Sequence, residues 1–327
     1  MKDTLIAMLK PFGPAGSEGP IAQAIIEMIT PYVDEISTDV MGNVIATKRG
    51  PGKRIMFSAH MDTIGCIALD AYKEGFIRVS NIGGIKVDQA AMRHVVFANG
   101  VEGVVCSEPL QKDAATMTRL FIDIGADSRE SALEKVPIGT MCSIACQITE
   151  MGDLISAPYM DDRAACAVLV ELVKALQSPR HEIVAVFSAQ EEVGCRGAQT
   201  AAYAIEPDIG VAIDVTLAGD TPKCEPPMAV KVGKGPAVKI KDSYSISTPM
   251  VRDGLVAAAK KADVAYQFEV LPFGGTDAGA IMSSRGGVPS GTLSIPCRYV
   301  HSPVETVSVK DMEGCVKVLK AYVEEVV

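Results

Sequence analysis

Between about Ile67 and Leu154 the helical hydrophobic period that governs both ends of this sequence nearly vanishes, and that gap constrains the fold more than any other feature. Short β-type runs take its place: "FIRVSNIGG", "RHVVFANGVEGVVCSE", "RLFIDIGA" and "MCSIACQI", punctuated by glycine and asparagine. Such spacing predicts a small β-barrel or sandwich. Ahead of it lie two helical patterns, "KDTLIAMLKPF" and "EGPIAQAIIEMITPYV", then a strand pair around "MGN" and the apolar run "KRIMFSAHMD". After Ser156 helix and buried strand alternate: helix 163–176, strand "EIVAVFSAQ", helix "GAQTAAYAI", strand "IGVAIDV", helices near 250–262 and 277–284, strand "GTLSIP" and a last helix "DMEGCVKVLKAYVEEV". The expected class is α/β, a mainly parallel mixed sheet covered by helices. Residues 1–66 and 155–327 form one discontinuous domain, interrupted by the insert at 67–154.

The 327 residues, 48% of them hydrophobic, suffice for a large core. A net charge of −9 and a pI near 5.1 argue against nucleic acid or an anionic membrane surface as partner. No apolar run is long enough to span a bilayer, and the polar breaks in "MKDTLIAMLKPFGPAGSEG" argue against a signal peptide. Nine scattered cysteines without a CxxC pair suggest neither a disulfide framework nor a thiolate zinc site. Reduced thiols in a cytoplasmic protein are expected.

The stretch "SAPYMDDRAACAVLVELVKAL" sets Asp161 and Asp162 side by side at the mouth of a helix. Acidic residues there ordinarily cap free N–H groups and complement the dipole. Here Ala164, Ala167, Val168, Leu169, Leu172 and Leu176 predict a helix packed from its first turn. A buried mouth is a costly place for two unneutralised carboxylates.

Open sheets gather reactive residues beyond the carboxyl ends of their strands. Four strand ends here carry ionisable groups: His60 and Asp62, Glu191 and Glu192, Asp214, and His301 shortly after its strand. Taken singly, each has an ordinary explanation as a turn residue or a solvated edge. Together with Asp161 and Asp162 they place carboxylates and two of the four histidines on five segments that one sheet edge brings together. That donor set suits zinc, cobalt or manganese. Adjacent residues of an extended segment point opposite ways, so one of Glu191 and Glu192 serves as ligand while the other faces the water as a base. His60 and Asp62, two apart, share a side, which suits a carboxylate that orients the imidazole. The loop "GGTDAGA" offers Gly275, Thr276 and Asp277 as pocket residues, although Thr276 or Asp277 as a plain helix cap explains the same pattern. His94 and His181 lack such company and are expected to be structural.

The segments "SAHMDTIG", "MDDRAACAV", "SAQEEVGCRGAQ", "AIDVTLAGDTP", "PFGGTDAGAIM" and "IPCRYVHSPVETV", in this order, resemble the tetrahedral aminopeptidase family, also called glutamyl aminopeptidase or "cellulase M" proteins. The resemblance implies a metal-dependent hydrolase that removes N-terminal residues from peptides, with a β-barrel inserted after the first histidine motif. It implies two divalent ions per subunit, Asp161 bridging both, His60 and Asp214 completing one, and Glu192 and His301 the other. Glu191 is then the general base, Asp62 joins it in the catalytic set as the residue behind His60, and Asp162 follows Asp161 through a cis peptide. Self-association through the insert into dimers, and from dimers to a tetrahedral dodecamer, is implied as well. Ala165 and Leu217 depart from the family pattern, neither at a ligand position.

Two rival readings differ in class. A glycoside hydrolase, as the cellulase label suggests, needs a carboxylate pair roughly 5–9.5 Å apart and usually aromatic platforms. This chain has no tryptophan, and that reading leaves the histidines without a task. A non-catalytic assembly homologue is expected to have lost a ligand or Glu191, and none is missing.

Overall fold

Along the strand Arg54–His60 the side chains alternate between two cores. Ile55, Phe57 and Ala59 enter the larger one, and Met56 enters a smaller one on the opposite face. The strand Glu182–Ser188 repeats the pattern, with Ile183, Ala185 and Phe187 on the first side and Val184 and Val186 on the second. A sheet buried on both faces needs such continuous apolar strands, and parallel pairing accompanies it. The computed structural model, which describes residues 1–108 and 117–327, shows that sheet; residues 109–116 of the expected insert lie outside the described residues.

Arg54–His60 pairs in parallel with Glu182–Ser188 on one side and with Ile209–Leu217 on the other. Ile209–Leu217 pairs in parallel with Ser290–Arg298. Antiparallel strands extend this four-stranded centre: Val44–Lys48 and Glu35–Thr38 at one edge, and Glu305–Ser308, Leu154–Ala157 and Thr149–Met151 at the other. Ala237–Lys241 joins Ser290–Arg298 antiparallel and carries Gln267–Val270 beside it in parallel. The described sheet has eleven strands. The hairpin 149–157 belongs to it, although the sequence reading counts residues up to 154 with the insert. Hairpin patterning is local and does not reveal which sheet a hairpin joins.

The larger core holds the helices Lys2–Leu9, Gly19–Ile29, Met160–Ala175, Pro249–Lys261 and Val309–Ala321, while Arg196–Ile205 and Asp277–Met282 cover the other face. Among the described residues no helix is long and apolar enough to cross a membrane. Between Gly65 and Ile144 the described residues leave the sheet and close a barrel of six antiparallel strands. Ile77, Val79, Val95, Phe97, Val105 and Ile122 fill it as a separate core.

Met160–Ala175 is the central helix, packed against Arg54–His60, Ile209–Leu217 and the first and last long helices. Asp161 and Asp162 have non-helical backbone angles and a cis peptide between them, so the regular helix begins at Arg163. Ala164 through Val170 are all buried, which the run of small and branched side chains allows. Leu169→Ala is expected to cost about 2–5 kcal/mol, the usual range for a buried leucine truncated to alanine. A urea midpoint unchanged from the parent would show that this helix is not central to stability.

Candidate metal centre

The carboxyl ends of the four parallel strands and the mouth of the central helix converge on a cavity of about 930 Å³. His60, Asp161, Glu191, Glu192, Asp214 and His301 all line it. Asp161 stands in the middle. Its Oδ1 lies 3.0 Å from His60 Nε2, and its Oδ2 lies 3.3 Å from His301 Nε2. His301 Nε2 is also 3.3 Å from Glu192 Oε2. Donor atoms of His60, Asp161 and Asp214 lie within 4.8 Å of one another, as do those of Asp161, Glu192 and His301. One carboxylate thus faces two separate donor groups, one on each oxygen.

Backbone hydrogen bonds set the orientation of both imidazoles. His60 Nδ1 donates to the Asp62 carbonyl at 3.1 Å and His301 Nδ1 to the Gly84 carbonyl at 3.0 Å, which turns each Nε2 toward the carboxylates. Metal-binding histidines are commonly held in this way. Asp62 is fully buried behind the cavity; its oxygens accept from the backbone N–H groups of Glu191 at 2.9 Å and Glu192 at 3.1 Å. The sequence reading assigns this carboxylate to His60. It lies 3.5 Å from Nδ1, but its shorter contacts fix the Glu191–Glu192 turn. The sequence reading has them diverge by strand alternation, but the pair lies on a turn beyond the strand; from there Glu192 faces His301 and Glu191 faces His60, with 3.8 Å between Oε2 and Nε2.

Burial and mutual repulsion dominate the electrostatics of the cluster. Burial pushes Glu191, Asp162 and Asp214 well above the usual carboxylate range, and neighbouring carboxylates add to the shift. Burial works against charge on His301 as well, but Asp161 and Glu192 raise it to about 12. His60 is likewise raised, burial being outweighed by Glu191, Asp161 and Asp62. Glu192 Oε1 and Asp162 Oδ1 are buried with no hydrogen-bond partner. Buried carboxyl oxygens without donors, beside oriented Nε2 atoms, fit a site for divalent cations with oxygen and nitrogen ligands.

Glu305 was missed in the sequence reading. It is buried and accepts from the backbone N–H of His301 at 2.6 Å and of Asp161 at 3.0 Å, which ties the two segments together. The only signal was its place four residues after His301, and side-chain contacts to backbone leave no periodic trace. The barrel also reaches the site: a Cβ on Gly84 would sit 2.7 Å from His301 Nδ1, and one on Gly83 3.0 Å from Glu192 Oε2. Of the three proposed pocket residues, Gly275 lies on the cavity wall. Thr276 is a buried cap whose hydroxyl accepts from the Ala278 N–H, and buried Asp277 accepts from the hydroxyls of Ser58 and Ser188. His181 sits apart, bonded to the Val327 carbonyl and the Lys53 N–H. His94 is exposed on the barrel.

Relatives of the chain carry peptidase names. A protein of Acetivibrio thermocellus, provisionally named an aminopeptidase, is 45% identical over 97% of this chain and 98% of its own length. The lysyl aminopeptidase of Pyrococcus furiosus is 33% identical over 93% of this chain and 91% of its own. Among solved structures, the TET1 peptidase of Pyrococcus horikoshii, described as able to assemble into a tetrahedron or a large octahedral shell, superposes with a TM-score of 0.89 at 32% identity, covering 99% of both chains. Residues 42–318 match the model of the M42 glutamyl aminopeptidases, and with the shared fold and motifs this establishes that the chain belongs to that family.

Proposed function

We propose that the protein is an aminopeptidase that uses two divalent metal ions, zinc by preference with cobalt or manganese as alternatives, to release N-terminal residues from peptides. The observation that carries this reading is Asp161, whose two oxygens face His60 and His301 separately. Asp161 would bridge, His60 and Asp214 would complete one ion, and Glu192 and His301 the other. Bound there, the ions would supply an acidified water and charge stabilisation for the tetrahedral intermediate.

The protein's own groups do the rest. Glu191 Oε2 faces the cluster beside His60 and takes the proton of the attacking water, then returns it to the departing amine. Asp62 holds the backbone from which Glu191 and Glu192 project, and Glu305 holds that of Asp161 and His301. Leu217, Leu271, Phe273 and Val300 also line the cavity and offer apolar surface to the first side chain of the peptide. Self-association through the insert, building dimers and from them a tetrahedral dodecamer, extends the reading. It is supported by the assembly of the Pyrococcus horikoshii relative and by Leu69, Met92 and Ile138, exposed on the barrel side of the chain.

In Glu191→Gln the shape survives and the proton acceptor is lost. Turnover should fall roughly 10²–10⁴-fold, the range of general acid–base catalysis, while bound metal stays at two ions per chain. Loss of an ion in this variant, or hydrolysis at the parent rate, would remove Glu191 from its role. Asp161→Ala should lose both ions together in elemental analysis, and retention of either at full occupancy would rule out the bridge. Light scattering of the full chain should give a mass of several subunits; a monomer at micromolar concentration would exclude the assembly.

A further inference from the structure

Beside the two-ion cluster lies a second group of donors that the mechanism uses only in part. Donor atoms of Glu191, Cys195 and Asp277 lie within 4.8 Å of one another. Two segments, a turn and the start of a helix, deliver them. Glu191 and Cys195 sit on one turn closed by the Cys195 N–H to the Glu191 carbonyl at 2.9 Å, which brings the thiol to 3.2 Å from Glu191 Oε1. Asp277 enters from the first turn of its helix, fixed through Oδ2 by Ser58 and Ser188 at adjacent parallel strands. Its other oxygen, Oδ1, has no partner although the residue is only 3% exposed. Glu191 and Cys195 both line the cavity, so a small ion reaches the group from the substrate side.

A thiolate with two carboxylates is a different ligand set from that of the neighbouring cluster, where no sulfur is present. Zinc, cobalt and cadmium accept sulfur and oxygen together, whereas magnesium and calcium favour oxygen alone. Three protein ligands leave a fourth tetrahedral position for water. We infer that Glu191, Cys195 and Asp277 form a third, lower-affinity site for a sulfur-accepting divalent ion, and that its occupation inhibits the enzyme by tying up Glu191. Binding releases the thiol proton to solvent and changes no oxidation state. The inhibitory half of this inference rests on Glu191 as the base; the site itself does not.

The test is optical and independent of turnover. Metal-free protein is titrated with Co²⁺, and a sulfur-to-cobalt charge-transfer band in the near ultraviolet should appear only after two equivalents have bound. Cys195→Ser and Cys195→Ala should both lack the band and still bind the first two ions. No band in the parent, or a band that persists in both variants, would overturn the site. In parallel, excess Zn²⁺ should depress peptide hydrolysis by the zinc-loaded parent. In Cys195→Ala the inhibitory concentration should rise at least by the roughly 10–100-fold that losing even a supporting contact of a metal ligand costs. A band without inhibition would keep the site and remove Glu191 from catalysis; a band with inhibition supports both.

Discussion

Everything at the carboxyl edge of this sheet depends on the mutual repulsion of buried carboxylates. Asp62, Asp161, Asp162, Asp214, Glu191, Glu192, Asp277 and Glu305 crowd around two imidazoles, and hydrophobic helices close over them from both faces. The fold spends stability here that its large core supplies. Parallel pairing is the means: four strands ending in the same direction bring residues from positions 60, 191, 214 and 301 to one rim, and the central helix adds Asp161 from the side.

Not all of these acids have the same work. Asp161, Asp214 and Glu192 present oxygens to the imidazoles, whereas Asp62 and Glu305 turn theirs onto backbone N–H groups. A carboxylate that accepts two N–H bonds holds a loop as a clamp would, and each of these two clamps spans segments far apart in sequence. The orientation of the reactive groups therefore rests on bonds between buried carboxylates and the main chain of distant segments.

The sequence was most informative where periodicity and burial coincide. Strands such as Glu182–Ser188 and Ile209–Leu217 are continuous apolar runs, and their polar ends mark the rim without ambiguity. The barrel was legible as a loss of helical period, because its strands alternate over their own core. Short or exposed elements were not: Ala237–Lys241, Gln267–Val270 and Glu305–Ser308 are four or five residues long, too short for a period to stand out. Of the site, donor residues were readable by type and position. Glu305 and the glycine pair at 83–84 were not, since their roles are to accept a main-chain bond and to leave space.

That glycine pair has a consequence for how the two parts of the chain relate. The barrel is an insertion in sequence, with its own core, and looks like a module that another chain could lend or take away. Yet the Gly84 carbonyl aims His301, and the absence of a Cβ at both positions makes room for His301 and Glu192. The insert is a jaw of the same tool. Any sequence substituted for it must reproduce this point of contact, so the barrel and the sheet are bound to vary together rather than as exchangeable parts.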